Sequence, residues 1–228
     1  MSVLLRTWNV FHGNTYPPGR RSHLAEMVRL VTEDHPDVVC LQEVPVWALP
    51  RLEEWSGMSA FTSIARGPRL PRVSGPVTRV HNGALRSLVS GQANAMLVDP
   101  RHEARALGSV GVSRWGKEPR RVHAVWMGGL VIANTHLSSP ADSGAQQEEL
   151  ERCVAFLDRF ADGGPVVLAG DLNVSEPVLP GFTGGGPGID HVLVRGLELH
   201  TLEIWEPERR VRGRRLLSDH APVETVIT

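Results

Sequence analysis

The chain has 228 residues, a formal net charge of −1 and 21% charged residues. This near-neutral balance gives no global attraction to nucleic acid or to an anionic membrane, and two cysteines exclude a disulfide framework or a cysteine-rich zinc site. The short apolar start predicts no signal peptide, and the lack of a long apolar run predicts no membrane span. We therefore expect one cytoplasmic domain over residues 1–228; the sequence does not determine the oligomeric state, and we expect a monomer.

Taken in chain order, the apolar residues predict strands that alternate with two helices. Apolar residues recur at helical spacing over residues 24–31 and 150–160, so each stretch has one apolar face. Shorter apolar runs predict strands over residues 38–41, 93–98, 122–127, 130–134, 165–169, 189–194, 197–204 and 222–227. This pattern predicts an α/β (α+β) sandwich in which two mixed sheets lie face to face with helices outside.

The most informative segment is Gly170-Asp171-Leu172-Asn173, which directly follows the predicted strand at 165–169. Sheets of α/β proteins place their sites at strand ends, and Gly lets the backbone turn sharply there. The carboxylate of Asp171 and the carboxamide of Asn173 can then face the same space. Taken alone, the segment is also typical of an ordinary turn, so its interpretation depends on whether the pattern recurs.

The pattern recurs in five other segments. Each places an Asn, Asp, Glu or His beside an apolar run, and the side chains concerned are Asn9, Glu43, His136, Asp190 and the pair Asp219-His220. A single polar residue at a strand end is usually exposed to solvent. Six such segments together indicate a shared site instead.

The order of these motifs, WN, QE, NTH, GDxN, D and SDH, resembles that of the endonuclease/exonuclease/phosphatase superfamily of DNase I-like, metal-dependent phosphoesterases. The resemblance covers roughly residues 3–227. It implies a four-layer α/β/β/α sandwich and hydrolysis of a phosphate ester by an activated water. It also implies a requirement for Mg²⁺ or Mn²⁺.

A cation site is expected around Glu43. A carboxylate at a strand end suits Mg²⁺, which prefers oxygen ligands and keeps several waters. By resemblance, Asn9 and Asp219 are its neighbours at the metal. One departure from the family is Phe11, which stands where the abasic-site endonuclease branch often carries an acid that helps to hold the metal.

The resemblance also implies catalytic roles for five residues. Asp171 stands where the family orients or deprotonates the attacking water, and Asn173 where it contacts the phosphate. Asp190 would orient His220, since a carboxylate partner fixes the tautomer of an imidazole and raises its pKa. His136 matches a second family histidine. Which histidine acts as acid and which as base stays open.

Other polar residues near these motifs are assigned simpler roles. His12 and His191 are close to the site in sequence only, and we expect them to be structural or exposed. Trp8 is expected to pack in the core. Arg120, in the segment Lys117-Glu118-Pro119-Arg120, is expected to contact phosphate.

The arginine distribution bears on the substrate. Residues 55–98 contain no Asp or Glu, and their arginines are Arg66, Arg69, Arg72, Arg79 and Arg86. A second cluster within 209–215 includes Arg212, Arg214 and Arg215, which we expect to bind phosphate because guanidinium groups match phosphate oxygens bidentately. The alternative is a chain-wide preference for arginine, since Lys117 is the only lysine.

Three functions follow in order of preference. The first is a nuclease acting on nucleic acid. The second is a phosphoesterase for a phosphorylated small molecule or a phospholipid headgroup. The third is a phosphate-binding module without catalytic activity.

Overall fold

The computed structural model describes residues 2–68, 89–139 and 144–228. Four arginines of the acid-free stretch, Arg69, Arg72, Arg79 and Arg86, lie outside these ranges. Within them, no helix is long and apolar enough to cross a membrane.

Strands are the predominant regular structure in the described chain. In chain order they are β1 (Val3–Asn9), β2 (Thr15–Tyr16), β3 (Val38–Val44), β4 (Ser59–Arg66), β5 (Gln92–Val98), β6 (Ala104–Gly111), β7 (Arg121–Met127), β8 (Leu130–His136), β9 (Val166–Asp171), β10 (Thr183–Gly185), β11 (Asp190–Arg195), β12 (Leu199–Ile204), β13 (Val211–Arg212), β14 (Arg215–Leu217) and β15 (Val223–Ile227). The α-helices in the described ranges are α1 (Leu24–Val31), α2 (Leu52–Ser56) and α3 (Ala145–Ala161). Short 3-10 helices span Phe11–Gly13, Val46–Arg51 and Pro207–Arg210.

The strands form two mixed six-stranded sheets and one small three-stranded sheet. The first sheet has the order β12-β15-β1-β3-β5-β4, the second β10-β11-β9-β8-β7-β6, and the small sheet β13-β14-β2. Each large sheet has one central parallel pair, β1 with β3 and β8 with β9, flanked by antiparallel strands. The expected pair of mixed sheets is confirmed.

Three apolar clusters define four layers. Side chains of β3 alternate between two of them, as the two-residue period of a strand requires. Val39 and Leu41 face outward and share a cluster with helices α1 and α2, whereas Val38 and Cys40 face inward and pack between the sheets. A third cluster joins α3, through residues such as Leu157, to the outer face of the second sheet. The expected α/β/β/α sandwich is therefore confirmed.

The predicted elements are present, but two long strands escaped prediction. β4 and β6 are the edge strands on the same side of the two sheets, and most of their side chains are exposed or half-buried. Such strands lack the continuous apolar run that identified the central ones. The helix expected over 150–160 extends to Ala145–Ala161, because polar residues occupy its first turns.

The topology brings the polar strand ends together at one edge of the sandwich. In the parallel pairs, Asn9 lies beside Gln42 and His136 lies beside Asp171. Because β11 is antiparallel to β9, its first residue, Asp190, also pairs with Asp171. β15 is antiparallel to β1, so the segment that precedes β15 lies at the same edge as Asn9.

The two sheets are joined beneath this edge by the side chain of Asn134, which is fully buried on β8. Its Nδ2 donates to the carbonyl oxygens of Leu41 and Ala95 in the opposite sheet, at 3.0 and 2.8 Å. Its Oδ1 accepts from Gln42 Nε2 at 2.8 Å. The β3–β5 ladder is irregular just after Leu41, so the amide supplies hydrogen bonds where the regular pairing stops.

Candidate functional site

Asp171 is the centre of the polar cluster at this edge, and only 2% of its surface is exposed. Asn9 Nδ2 donates to Asp171 Oδ2 at 2.9 Å, and the backbone N–H of Asn173 donates to Oδ1 at 3.1 Å. Nε2 of His136 and Nε2 of His220 lie 3.5 and 3.8 Å from the same Oδ2 atom. The cluster therefore joins side chains of both sheets around one carboxylate.

The residue before Asp171 can only be glycine. Gly170 has φ +142°, and a Cβ added to it would lie 1.9 Å from the carbonyl oxygen of Thr135. The absence of a side chain lets β8 and β9 approach closely. This contact places His136 and Asp171 side by side.

His220 forms a carboxylate–imidazole pair with Asp190, the partner that the family resemblance implies. The distance from Nδ1 to Asp190 Oδ2 is 2.7 Å. Burial alone would lower the pKa of His220, but the hydrogen bond to Asp190 and the nearby carboxylates raise this pKa to about 9. The imidazole is therefore cationic at neutral pH, with Nδ1–H donated to Asp190 and Nε2–H directed toward Asp171.

The loop that carries His220 is anchored to the end of β1. The indole N–H of Trp8 donates to the carbonyl oxygen of His220 at 2.9 Å, and Ser218 Oγ donates to the carbonyl oxygen of Asn9 at 2.6 Å. Trp8 is fully buried, as expected of a core residue. Its N–H nevertheless positions a site residue, which explains how the WN and SDH motifs meet.

His136 is in a different electrostatic state from His220. Burial lowers its pKa well below the usual value, and the charges of Arg120, His220 and His12 lower this pKa further. Its Nδ1 lies 3.0 Å from Nε2 of Gln92, so a neutral ring accepts there and carries its proton on Nε2. That Nε2–H faces the carboxylate of Asp171.

Oxygen donors gather on the other side of Asp171. Burial and the charges of Asp171 and Asp219 raise the pKa of Glu43 to about 7. Burial and the charge of Asp190 raise the pKa of Asp171 to about 6. Burial is the larger cause of both pKa shifts, and repulsion between the clustered carboxylates adds to it. A divalent cation would relieve that repulsion, so the carboxylates and the oxygen of Asn9 fit a hard-cation site.

A second set of donors overlaps this one. Among the described residues, Asp171, Asp190 and His220 place three potential ligand atoms within 4.8 Å of one another. The Nδ1–H of His220 donates a hydrogen bond to Asp190 Oδ2. The other oxygen of this carboxylate, Oδ1, is buried without a hydrogen-bond partner in the described chain. We favour the donors around Glu43 for the cation, because both ring nitrogens of His220 carry a proton and therefore cannot bind a metal ion.

The raised pKa of Glu43 predicts how stability depends on pH when no metal is present. A carboxyl whose pKa rises from 4.5 to about 7 on folding stabilises the fold most below its unfolded value, and the contribution disappears as pH rises through the folded value. In chelator, the parent should therefore lose on the order of 2–3 kcal/mol relative to Glu43→Gln between about pH 4.5 and 7. Chemical denaturation of both proteins across this window measures the difference. A difference that is independent of pH would contradict the prediction.

Arg120 is one arginine that the structure places at the site. It is 6% exposed, and its charge acts on both Glu43 and His136. Its Nη2 donates to Glu118 at 3.0 Å, whereas its buried Nε and Nη1 have no hydrogen-bond partner among the described residues. Two buried donors without an acceptor suit a phosphate oxygen.

Of the arginines near the C-terminal motif, Arg210 lines a cavity together with Asp219 and His220. Two of the three arginines that were expected to bind phosphate have other contacts. Arg212 pairs with Glu26 of α1, and Arg215 Nη1 donates to the carbonyl oxygens of Pro17 and Pro18. Arg214 is exposed at the turn between β13 and β14. These contacts connect the small three-stranded sheet to the N-terminal region, and they do not include the carboxylate cluster.

Two site residues were not anticipated from sequence. Gln92 begins β5, and the antiparallel direction of that strand brings its first residue to the same edge as the last residue of β3. His12, expected to be structural or exposed, is buried, with Nε2 3.4 Å from Glu43 Oε2. It lies in a left-handed turn that no apolar period marks. A histidine within three residues of Asn9 was the available signal.

Comparison with known proteins agrees with this geometry. A family model described as "Endonuclease/Exonuclease/phosphatase family" matches residues 7–220. No curated protein sequence matches the chain.

Several solved structures share the fold. An endonuclease/exonuclease/phosphatase from Beutenbergia cavernae DSM 12333 is 20% identical with a TM-score of 0.71, and the match covers 99% of this chain and 71% of that one. A functionally unknown conserved protein from Enterococcus faecalis V583 is 16% identical, with a TM-score of 0.73 and 99% coverage of both chains. Humanized TDP2 of D. rerio is 15% identical with a TM-score of 0.67, covering 100% of this chain and 99% of that one. At these identities the likeness concerns the fold alone.

Proposed function

The chain belongs to the endonuclease/exonuclease/phosphatase family, a family of phosphoesterases and nucleases, and on that basis we propose that it is a divalent-metal-dependent phosphodiesterase. The observation that carries the proposal is the convergence on Asp171. A buried carboxylate there contacts one neutral and one cationic imidazole and lies beside further oxygen donors. This is the set of groups that hydrolysis of a P–O ester requires.

Asp171 is the proposed base. Its pKa of about 6 is higher than that of an ordinary aspartate, which makes the ionised form a better proton acceptor near neutral pH. Asn9 donates a hydrogen bond to Asp171 Oδ2, and the backbone N–H of Asn173 donates one to Asp171 Oδ1. The carboxylate is therefore fixed in orientation before a water arrives, and the attacking oxygen would lose its proton to it.

The two histidines are proposed to act on the phosphoryl group in different ways. His220, cationic and held by Asp190, would bind a phosphoryl oxygen through Nε2–H and stabilise the charge that develops there. His136 would donate a neutral Nε2–H, because Gln92 occupies its Nδ1. Asn173, whose Nδ2 already donates to the carbonyl oxygen of Leu137, has a second N–H for the phosphate.

Glu43, Asn9 and Asp219 are proposed to hold Mg²⁺ or Mn²⁺. When bound, the cation would neutralise phosphoryl charge and help the leaving oxygen depart. Arg120 would add its two buried donors to the same phosphate from the side of Glu43.

Nucleic acid is the proposed substrate. Arg66 and Arg120 both pair with Glu118, so their guanidinium groups are close together. Trp115, which is fully exposed, lies with Arg114 and Lys117 in the loop between β6 and β7 that leads to Arg120. Exposed tryptophan beside cationic side chains is suited to stacking on a base next to a bound phosphate. We further propose that the protein acts as a cytoplasmic monomer.

A second candidate is a phosphorylated small molecule or headgroup. A cavity of about 440 Å³ adjoins His220, and its walls include Ile189, Ile204 and Ala221. Such a volume fits a compact apolar group beside the phosphate. The internal contacts of Arg212 and Arg215 also reduce the cationic surface available to a polynucleotide.

A substrate panel with Mg²⁺ and Mn²⁺ tests the proposal. Bis-(p-nitrophenyl) phosphate reports diester hydrolysis, plasmid and oligonucleotides report nuclease action, and phosphorylated small molecules and phospholipids report the second candidate. Asp171→Asn is the control for contaminating enzymes. Metal-dependent turnover that disappears in this variant supports the proposal. A binding module would bind phosphate compounds and turn over none of them.

Variants of two arginines distinguish a contact to the reacting phosphate from general binding of a polyanion. Arg120→Ala should lower kcat/KM about a hundredfold even for bis-(p-nitrophenyl) phosphate, because it removes donors to the reacting phosphate. Arg214→Ala, the exposed counterpart, should leave this small substrate unaffected. For binding to an oligonucleotide, the logarithm of the binding constant falls linearly with the logarithm of the salt concentration. Losing an arginine that contacts phosphate should make this slope shallower by about one. An Arg120→Ala enzyme with parental kcat/KM would contradict the assignment.

A further inference from the structure

His12 lies in a left-handed stretch of backbone. Phe11 has φ +49°, His12 has φ +53° and Gly13 has φ +77°. Three successive residues in this region are unusual, and two of them carry side chains. Such strain persists only where the surrounding structure imposes it, and it concentrates at functional sites.

The surrounding contacts hold the turn firmly. The N–H of Phe11 donates to Asn9 Oδ1 at 3.0 Å, and the N–H of Gly13 donates to the carbonyl oxygen of Val10 at 2.7 Å. A Cβ at Gly13 would lie 2.6 Å from the Cβ of Leu24, so that position must be glycine. The result is a side chain at residue 12 that is directed inward and is 4% exposed.

Inside the protein, His12 faces Glu43. Nε2 of the imidazole lies 3.4 Å from Oε2 of the carboxylate, which is longer than a usual N–H···O hydrogen bond. Two donor atoms about 2.1 Å from one ion are about 3.0 Å apart at an octahedral right angle and about 3.4 Å apart at a tetrahedral angle. The observed 3.4 Å equals the tetrahedral separation and exceeds the octahedral one by about 0.4 Å. Glu43 itself has φ +56°, so both side chains are presented by left-handed backbone.

We infer that His12 is a nitrogen ligand that joins Glu43 in holding the divalent cation. This inference rests on the proposed cation-dependent function and adds to it. Imidazole favours transition ions, whereas Mg²⁺ prefers oxygen. A site of mixed oxygen and nitrogen donors therefore selects Mn²⁺ and later transition ions over Mg²⁺.

The test is electron spin-echo spectroscopy of Mn²⁺ bound to the full chain. A directly bound imidazole gives a ¹⁴N coupling, which ¹⁵N-histidine labelling changes in a defined way. We expect this coupling in the parent, in His136→Ala and in His220→Ala. We expect its loss in His12→Asn, which suits the backbone because asparagine tolerates left-handed conformations. Circular dichroism in chelator shows whether each variant is folded.

His12→Gln serves as a matched variant, because it replaces the nitrogen by an amide oxygen of similar reach. Calorimetric titration should show Mn²⁺ binding weakened about tenfold or more and Mg²⁺ binding affected less, so that the preference for Mn²⁺ shrinks. Mn²⁺ bound without ¹⁴N coupling in the parent, or coupling that persists in His12→Asn, would overturn the inference, as would a parent that binds no Mn²⁺. Hydrolysis of bis-(p-nitrophenyl) phosphate is measured separately. A folded parent enzyme that hydrolyses this substrate but shows no ¹⁴N coupling would refute His12 as a metal ligand and would leave the proposed hydrolytic function intact.

Discussion

Replacing His220 by alanine should lower kcat for a phosphodiester by about 10³- to 10⁴-fold, and Asp190→Asn should be of similar severity. The reason is that the two side chains act as one unit, with Nδ1 of His220 held by Asp190 Oδ2 at 2.7 Å. Without the carboxylate, the imidazole loses its fixed orientation and the main influence that keeps it charged. The double variant should therefore be little worse than the worse single one.

The pH profile gives this prediction a second measurement. Asp190 helps to raise the pKa of His220 to about 9, so in the parent the protonated imidazole is lost only as pH rises through that value. In Asp190→Asn the pKa falls, and the alkaline decline in rate should move to lower pH. His200→Ala, on the exposed strand β12, is the control histidine and should keep the parental profile. Losses that multiply in the double variant would show that the two residues act independently.

Removal of divalent cations should abolish hydrolysis of every substrate in the panel. Burial raises the pKa of Glu43 to about 7 and that of Asp171 to about 6, and neighbouring carboxylates add to both shifts. When these groups are ionised they leave negative charge at the proposed phosphate site. A phosphodiester would be repelled unless a cation neutralised that charge. Loss of several kcal/mol of transition-state stabilisation corresponds to at least about a thousandfold in rate.

The measurement is an EDTA titration followed by restoration with Mg²⁺ or Mn²⁺. Glu43→Gln should require more metal to reach half of its maximal rate, because it offers a neutral oxygen in place of a carboxylate. Glu148→Gln is a suitable control, since Glu148 pairs with Arg114 and Arg152 on the surface of α3. Full activity in excess chelator would refute the proposed role of the cation.

The strand ends that carry the candidate site residues could be located from the sequence, because the apolar run before each end marks the strand. Asp171 ends β9 and His136 ends β8, and parallel pairing places them side by side. The family resemblance, and not the spacing, implied that Asp190 orients His220, and the two side chains lie 2.7 Å apart. The central strands of both sheets are buried on both faces, so each appears in the sequence as a continuous apolar run. The end of that run is also the end of the strand in the structure.

The sequence was less informative where a contact depends on distant partners. Arg212 and Arg215 are close to His220 in the chain, yet their partners are Glu26 and two proline carbonyls some two hundred positions away. Nothing in a local run of arginines shows which of them will be neutralised in this way. Gln92 was missed for a related reason. It is the first residue of β5, and only the antiparallel pairing of β5 with β3 brings it to the edge where β3 ends.

The two sheets cannot slide past one another without breaking the hydrogen bonds of one buried amide. Asn9 and Glu43 belong to the first sheet, whereas His136 and Asp171 belong to the second, so a shear of about 1 Å between the layers would separate reacting groups by enough to cost about a hundredfold in rate. Asn134 resists this shear by binding two carbonyl oxygens of the opposite sheet where water cannot replace them. We therefore expect heat inactivation to coincide with unfolding of the whole sandwich, since the alignment of the proposed catalytic groups depends on a buried side chain beneath them.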